Sequence, residues 1–464
     1  MSKNIRIKNL YIYSKEKTLV ENINLEISVN KPLVLLGESG SGKSLIIDAL
    51  MGVLPKELKV KGEILLDDID LLKLSKKQRQ KLWGKEIALL PQEPWRALDP
   101  TMKIKEQIKE VRQFVYKDKH SKSRVQKELK DVNLETFENA YPFELSGGMC
   151  QRLTIAITHC QEAKVILVDE PTKGLDRELC DQVCEKLQTH IKENKLLFII
   201  THDLDIAKSI EGTLGIMLDG KLIECNTTKE IFQNPQKKYT KELINSEAKF
   251  WQINKSIPKD EVIVKIDNLS KSFKNNHLFK NISFDVKKGE IVSIIGKSGS
   301  GKSSLGNIIL ENLEPSSGEV IKNSQYTKAQ FQKIYQDPPS AFLPEQILKD
   351  GFDDLLKLYN INENKLNGYL KDFNLSEDLL QRKPDEISGG ELQRLSIIRV
   401  LLLNPIFIFA DEISSRLDPI SQKEVLFLLK KVVQKDSLCV LLVTHDIQIA
   451  KSLSNKIIDI EKFK

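Results

Sequence analysis

The sequence has no apolar run long enough to cross a bilayer, for which about 18 residues are needed. Its longest candidates, such as 400–410, are interrupted by Pro405 and end at Asp411-Glu412. No apolar stretch of the kind found in secretory signals follows Met1-Ser2-Lys3-Asn4. The expectation is a cytoplasmic protein whose membrane association comes through partners. Cysteine is scarce: Cys150, Cys160, Cys180, Cys184, Cys225 and Cys439 are all there are. Their spacing fits neither a disulfide framework nor paired zinc ligands. Cys180 and Cys184 lie four apart on an expected helix and share one face, where packing is preferred to metal sensing as their role. Charge of one sign is not concentrated anywhere. The 71 basic and 65 acidic residues are interspersed, leaving a net charge of +6. That reads as a solvated surface, with a mildly basic face toward an anionic membrane as the lesser reading. It argues against a nucleic-acid footprint, which needs clustered Lys and Arg.

What is present is an ordinary globular composition, 40% hydrophobic and 29% charged. Its 464 residues suffice for two or three domains. The strongest signal is an internal repeat. Gly37-Glu38-Ser39-Gly40-Ser41-Gly42-Lys43-Ser44 recurs as Gly296-Lys297-Ser298-Gly299-Ser300-Gly301-Lys302-Ser303. Leu145-Ser146-Gly147-Gly148 recurs as Ile387-Ser388-Gly389-Gly390, 165–170 as 407–412, and Thr201-His202-Asp203 as Thr444-His445-Asp446. The two lysines stand 259 residues apart, but Gln92 and Gln336 only 244, so the second copy lacks 15 residues between these points. The first copy also runs on past His202 through a hairpin expected to turn at Asp219-Gly220.

The spans 33–36, 165–168, 197–200, 291–295, 406–409 and 440–443 are continuous apolar runs, as suits strands buried on both faces of a parallel sheet. Polar, helical segments between Gln92 and Ser146, and between Gln336 and Ser388, suggest inserted helical subdomains. A polar stretch containing Pro258 marks the boundary, giving a first domain over 1–249, a linker over 250–260 and a second domain over 261–464.

Gly-x-x-x-x-Gly-Lys-Ser after a buried strand and before a helix is a phosphate-binding P-loop. Its glycines let backbone N–H groups curl round phosphates, and the helix N-terminus adds positive dipole. Lys43 and Lys302 then reach the β- and γ-phosphates of ATP, and Ser44 and Ser303 ligate Mg²⁺. Asp169 and Asp411 end apolar strands, where a carboxylate can hold Mg²⁺ directly or through water. Glu170 and Glu412 come next, placed to orient or deprotonate an attacking water.

P-loop, Gln, Leu/Ile-Ser-Gly-Gly, a strand ending Asp-Glu, and Thr-His-Asp, in that order and twice over nearly the whole chain, resemble the ATP-binding cassette (ABC) ATPases. The resemblance implies an α/β fold of two tandem P-loop NTPase domains. Each has a RecA-like, mostly parallel core sheet, an antiparallel β subdomain and an inserted α-helical subdomain. It implies ATP hydrolysis at composite sites. One combines Lys43, Gln92, Asp169, Glu170 and His202 with Ser388, Gly389 and Gly390. The other combines Lys302, Gln336, Asp411, Glu412 and His445 with Ser146, Gly147 and Gly148. Gln92 and Gln336 would sense Mg²⁺ or water, His202 and His445 would hold the γ-phosphate, and Asp176 and Asp418 would lie where cassettes meet. The residue that stacks on adenine falls at Phe273; the matching position in the first copy is Ser14, with Tyr13 beside it. Ile413 stands where the family and the first copy, at Pro171, have proline.

Leu90-Pro91-Gln92-Glu93-Pro94 with Ala97-Leu98-Asp99-Pro100 resembles the Gln segment of the oligopeptide, dipeptide and nickel importers. So does Tyr335-Gln336-Asp337-Pro338 with Ala341-Phe342-Leu343-Pro344. Asn234-Pro235-Gln236-Lys237-Lys238-Tyr239-Thr240 is similar to that group's motif after the core, and no cysteine between 225 and 439 supplies an iron–sulfur cluster. The contexts of Phe143 and Glu391 most resemble the two nickel-importer ATPases, here fused. The resemblance implies two integral membrane permeases and an extracytoplasmic substrate-binding protein as partners, no nucleic acid, and no need of a homodimer. The place is then the cytoplasmic face of the inner membrane, peripherally bound. A di- or oligopeptide cargo is the alternative to nickel. A soluble double cassette acting on ribosomes is the alternative class, disfavoured by the short linker.

Overall fold

A computed structural model describes residues 4–92, 97–116, 121–172, 177–273, 276–297 and 299–464. They form two compact units, Met1–Ile244 and Asn245–Lys464.

Among the described residues the first unit has ten strands: β1 (Asn4–Tyr13), β2 (Thr18–Ser28), β3 (Leu33–Gly37), β4 (Lys59–Leu66), β5 (Ile69–Asp70), β6 (Ile87–Leu90), β7 (Val165–Asp169), β8 (Leu196–Thr201), β9 (Thr213–Leu218) and β10 (Lys221–Thr227). In β1 and β2 alternate residues such as Ile5, Ile7, Ile23, Leu25 and Ile27 are buried, the signature of a sheet with one wet face. They join β4 and β5 in an antiparallel sheet of order β2-β1-β4-β5. The continuous apolar runs are instead buried throughout, one face packing on the helix Lys43–Met51 and on the apolar side of that antiparallel sheet. They pair in parallel in the order β9-β3-β8-β7-β6, with β10 added antiparallel at the edge. The hairpin turns where expected: Asp219 and Gly220 have φ of 48° and 78°.

The second unit repeats this with β11 (Val262–Phe273), β12 (Asn276–Lys287), β13 (Ile291–Ile295), β14 (Ser317–Lys322), β15 (Phe331–Ile334), β16 (Phe407–Asp411), β17 (Cys439–Val443) and β18 (Lys456–Asp459). Its sheets run β12-β11-β14 and, all parallel, β15-β16-β17-β13-β18. Most of the missing 15 residues fall in one interval: between β4 and β6 the first unit carries β5, the turn Leu71–Lys73 and the helix Lys76–Gln80, whereas between β14 and β15 the second carries the single turn Lys328–Gln330. Both units carry the helical insertion. In the first it comprises Ile104–Tyr116, Ser121–Asp131 and Gly147–Cys160 around Ile104, Ile108, Leu129 and Leu153. In the second it comprises Leu348–Leu358, Glu363–Asp372 and Gly389–Leu401. Both arrangements put the P-loop strand inside its sheet, with the loop at the carboxyl end, where parallel sheets bind ligands.

The division falls at Asn245, and the stretch 250–260 is docked on the second unit rather than loose. Trp251 is buried edge-on against Phe427, ring centroids 5.2 Å apart, and its Nε1 donates to Ser246 O at 2.8 Å. Lys430 donates to Asn254 O, and Ser256 Oγ to Asn455 Oδ1 at 2.7 Å. One tryptophan and a few backbone acceptors hold this polar stretch down. Trp251→Ala should therefore destabilise the second unit by about 3–5 kcal/mol in urea unfolding followed by circular dichroism. A change near zero would restore the linker reading.

Candidate functional site

Each P-loop is a glycine-dependent turn from a buried strand into a helix. The helix Lys43–Met51 is capped by Gly42 at φ 90° and the helix Lys302–Ile309 by Gly301 at φ 97°. A Cβ at either would strain the backbone and press on its neighbour, Leu19 O or Leu278 Cβ, at 3.0 Å. The lysine side chains are buried. Lys43 Nζ donates to Gly37 O and Glu38 O, both at 2.7 Å, and to Ser41 Oγ at 3.2 Å. Lys302 Nζ donates to Gly296 O at 2.8 Å and Lys297 O at 2.9 Å. Of the P-loop residues read from sequence, Ser298 alone lies outside the described residues.

The strand-end acids meet the P-loop serines. Ser44 Oγ donates to Asp169 Oδ1 at 3.2 Å, and Ser303 Oγ to Asp411 Oδ1 at 2.9 Å. These are hard oxygen donors beside a phosphate loop, the set that Mg²⁺ takes. Burial pushes the Asp169 carboxyl up to about 6, with Glu170 and Asp48 adding to the rise against Ser44 and Lys43. A buried carboxyl with two other carboxylates nearby is one whose charge a divalent cation would offset.

Glu170 and Glu412 adopt the same left-handed backbone, φ 48°. That costs a non-glycine residue on the order of 1 kcal/mol. It is fixed by hydrogen bonds from their N–H groups to Ile200 O at 2.9 Å and Val443 O at 3.1 Å. Their side-chain partners differ. Glu170 Oε2 lies 2.6 Å from His202 Nδ1 and also accepts the His202 N–H at 3.2 Å. Burial drives both groups toward neutrality, but their mutual attraction outweighs it: Glu170 sits below the usual carboxylate value and His202 above the usual imidazole value. Glu412 instead accepts from Gln336 Nε2 at 2.9 Å, with Lys302 Nζ at 3.7 Å and His445 Nδ1 at 3.9 Å. Among the described residues no hydrogen bond joins Gln92 to Glu170, and 93–96, with Glu93 and Pro94, are not described.

Ser146 and Ser388 cap the helices Gly147–Cys160 and Gly389–Leu401, their Oγ atoms accepting from Met149 N at 3.3 Å and Glu391 N at 3.4 Å. Gly147, Gly148, Gly389 and Gly390 form the first turns, whose free N–H groups suit an anion. Asp418 caps the helix Pro419–Asp436, while Asp176 lies outside the described residues. Phe273 closes β11 and is half exposed beneath Lys271 Nζ, 4.7 Å from the ring centroid. Tyr13 closes β1 at the corresponding hairpin, whereas Ser14 turns the loop by accepting from Lys17 N at 3.1 Å. The strand end therefore aligns Tyr13, not Ser14, with Phe273.

Three contacts were not anticipated. The Glu38 N–H donates to Tyr239 Oη at 3.2 Å, joining the motif after the core to the P-loop. The Lys297 N–H donates to Glu461 Oε1 at 3.3 Å. Lys333 Nζ lies 3.1 Å from Asp411 Oδ2. The only sequence signal for the last was a lysine in a short, otherwise apolar-ended strand where the first copy has Leu89.

A family model described as ABC transporter matches residues 20–173 and 279–415. The peptidoglycan transport ATP-binding protein YejF of Agrobacterium fabrum is 28% identical over 474 positions, covering 95% of this chain and 87% of the relative. The glutathione import ATP-binding protein GsiA of Shigella dysenteriae is 28% identical over 503 positions, covering 94% of this chain and 81% of the relative. A chain in the crystal structure of archaeal ribosomal stalk protein aP1 with the ribosome recycling factor aABCE1 superposes with a TM-score of 0.68 at 21% identity. It covers 98% of this chain and 87% of that one, a likeness of fold.

The Asp169 environment sets a pH dependence. A metal needs the carboxylate, and a carboxyl raised to about 6 is protonated below that pH. Mg²⁺ affinity at the first P-loop, measured by calorimetry without nucleotide, should fall as pH drops through about 6 and change little above it. A flat profile between pH 5 and 7 would contradict this assignment.

Proposed function

This chain belongs to the ABC transporter family, and from that premise we propose that its two cassettes are the motor of a binding-protein-dependent importer of peptide-like cargo. The chain is an ATPase. The observation that carries the importer reading is coverage: two transport ATP-binding proteins align over 94–95% of this chain and 81–87% of their own length. Their names specify peptidoglycan transport and glutathione import. Those cargoes favour a peptide or peptide conjugate here over the nickel chelate suggested by local motifs. The chain's partners are then two integral membrane permeases and an extracytoplasmic binding protein. Among the described residues no helix is long and apolar enough to cross a membrane, in keeping with a subunit attached peripherally at the cytoplasmic face. The ribosome-associated alternative has a likeness of fold alone behind it.

In this reading Lys43 and Lys302 turn from their own loop carbonyls onto the β- and γ-phosphates of ATP. The P-loop N–H groups of 37–44 and 296–303 cradle the phosphates. Tyr13 and Phe273 face adenine. Glu170 and Glu412 hold the water that attacks the γ-phosphate. His202 hands its hydrogen bond from Glu170 to the γ-phosphate, and His445, already loose from Glu412, does so with less rearrangement. Gln92 and Gln336 report the site's state to the permeases, and the helix N-termini at Ser146 and Ser388 supply further γ-phosphate donors. Mg²⁺, held by Ser44 and Asp169 or by Ser303 and Asp411, would neutralise charge on the β- and γ-oxygens.

Glu170→Gln combined with Glu412→Gln should retain ATP binding and lower kcat by about 10²-fold or more. Undiminished turnover would refute the glutamates' role. For cargo, a strain deleted for this chain should lose uptake of labelled short peptides and keep uptake of labelled nickel. The reverse pattern would overturn the peptide reading.

A further inference from the structure

We infer that Lys333 is a resident cation at the metal position of the second cassette, and that it makes the two ATP sites unequal in their hold on Mg²⁺. The inference rests on the reading of Ser303 and Asp411 as metal ligands.

Sheet register identifies the matching residues. Lys333 pairs with Phe409, two before Asp411; Leu89 pairs with Leu167, two before Asp169. Lys333 and Leu89 therefore occupy one position of the fold. Both oxygens of Asp411 are engaged, Oδ1 by Ser303 Oγ at 2.9 Å and Oδ2 by Lys333 Nζ at 3.1 Å. Ser44 meets Asp169 in the same way, but Leu89 brings no charge.

The surroundings have changed to suit the ammonium. Lys333 Nζ also donates to Asn307 Oδ1 at 3.3 Å. Five residues after the P-loop lysine, Asn307 replaces the first copy's Asp48, which lies close enough to Asp169 for the two carboxylates to repel. Lys333 Nζ lies over Phe409 and Tyr335, 5.1 and 5.3 Å from the ring centroids. The Phe409 ring fits against the helix because Gly306 has no side chain; a Cβ there would overlap it. The first copy has Ile47 and Leu167 at these two places. The second site has thus lost one carboxylate and gained one ammonium, and a glycine makes room for the ring beneath.

Coulomb's law gives the consequence. A unit positive charge a few ångströms from a divalent ion repels it strongly, and a carboxylate already paired attracts it less. Mg²⁺ must displace Lys333 from Asp411, with Asn307 and the two rings to receive it. Nucleotide at the second site consequently depends less on metal, and metal there is held less tightly than at the first.

The test is Mn²⁺ titration of the full chain with a saturating non-hydrolysable ATP analogue, followed by electron paramagnetic resonance. Two classes of nucleotide-dependent Mn²⁺ site are expected, differing in affinity by about tenfold or more. Lys333→Leu should tighten the weak class until the two merge, and Lys333→Arg should keep it weak. Leu89→Lys should weaken the strong class. Thermal melting reports folding, and should Lys333→Leu fail to fold, the Leu89→Lys result decides. Equal affinities in the unaltered chain, or a weak class untouched by these variants, would overturn the role of Lys333. Absence of nucleotide-dependent Mn²⁺ at both sites would instead overturn the reading of the metal ligands.

Discussion

Each cassette depends on one arrangement: a buried ammonium hydrogen-bonded to the carbonyls of its own phosphate loop. A loop whose N–H groups point inward is a cavity awaiting an anion, and its carbonyls must find donors elsewhere. Lys43 and Lys302 serve two loop carbonyls each. The loop is therefore already shaped before ATP arrives. The parallel sheet supplies the rest by ending β7 and β16 beside the loop, which brings Asp169 to Ser44 and Asp411 to Ser303. A left-handed step at the next residue turns Glu170 and Glu412 toward the neighbouring strand end, where the histidines lie. Preorganisation of this kind places the cost of ordering in folding rather than in catalysis.

Much of this was legible because it is local. Gly-rich loop, buried strand and helix are consecutive in sequence, so the P-loop's context could be read directly. Period and composition likewise marked the all-buried strands and the helical insertions. What escaped was set by residues far apart in the chain. The partner of Glu412 is Gln336 rather than its histidine, a choice made by side-chain packing across two strand ends. Residue counting pointed to Ser14, but hairpin loops of different length displace the count, and strand register points to Tyr13. The stretch 250–260 was polar enough to read as a linker, and only tertiary structure shows Trp251 anchoring it.

The two copies have diverged in charge more than in backbone. The catalytic glutamates share one φ, and the helix-capping glycines differ by a few degrees. Their neighbourhoods do not match. The outer amide of the first loop is met by a neutral phenol, Tyr239, and that of the second by a carboxylate, Glu461. Each copy uses its own C-terminal segment for the purpose, which gives the motif after the core a structural task at the P-loop. With Lys333 for Leu89 and Asn307 for Asp48, three positions around one phosphate loop have changed charge while its geometry has not. Duplication followed by packing constraints alone would be expected to trade apolar for apolar. Changes of charge beside a metal-binding carboxylate act on binding equilibria, so the fused chain joins two sites that are alike in shape and tuned apart in electrostatics.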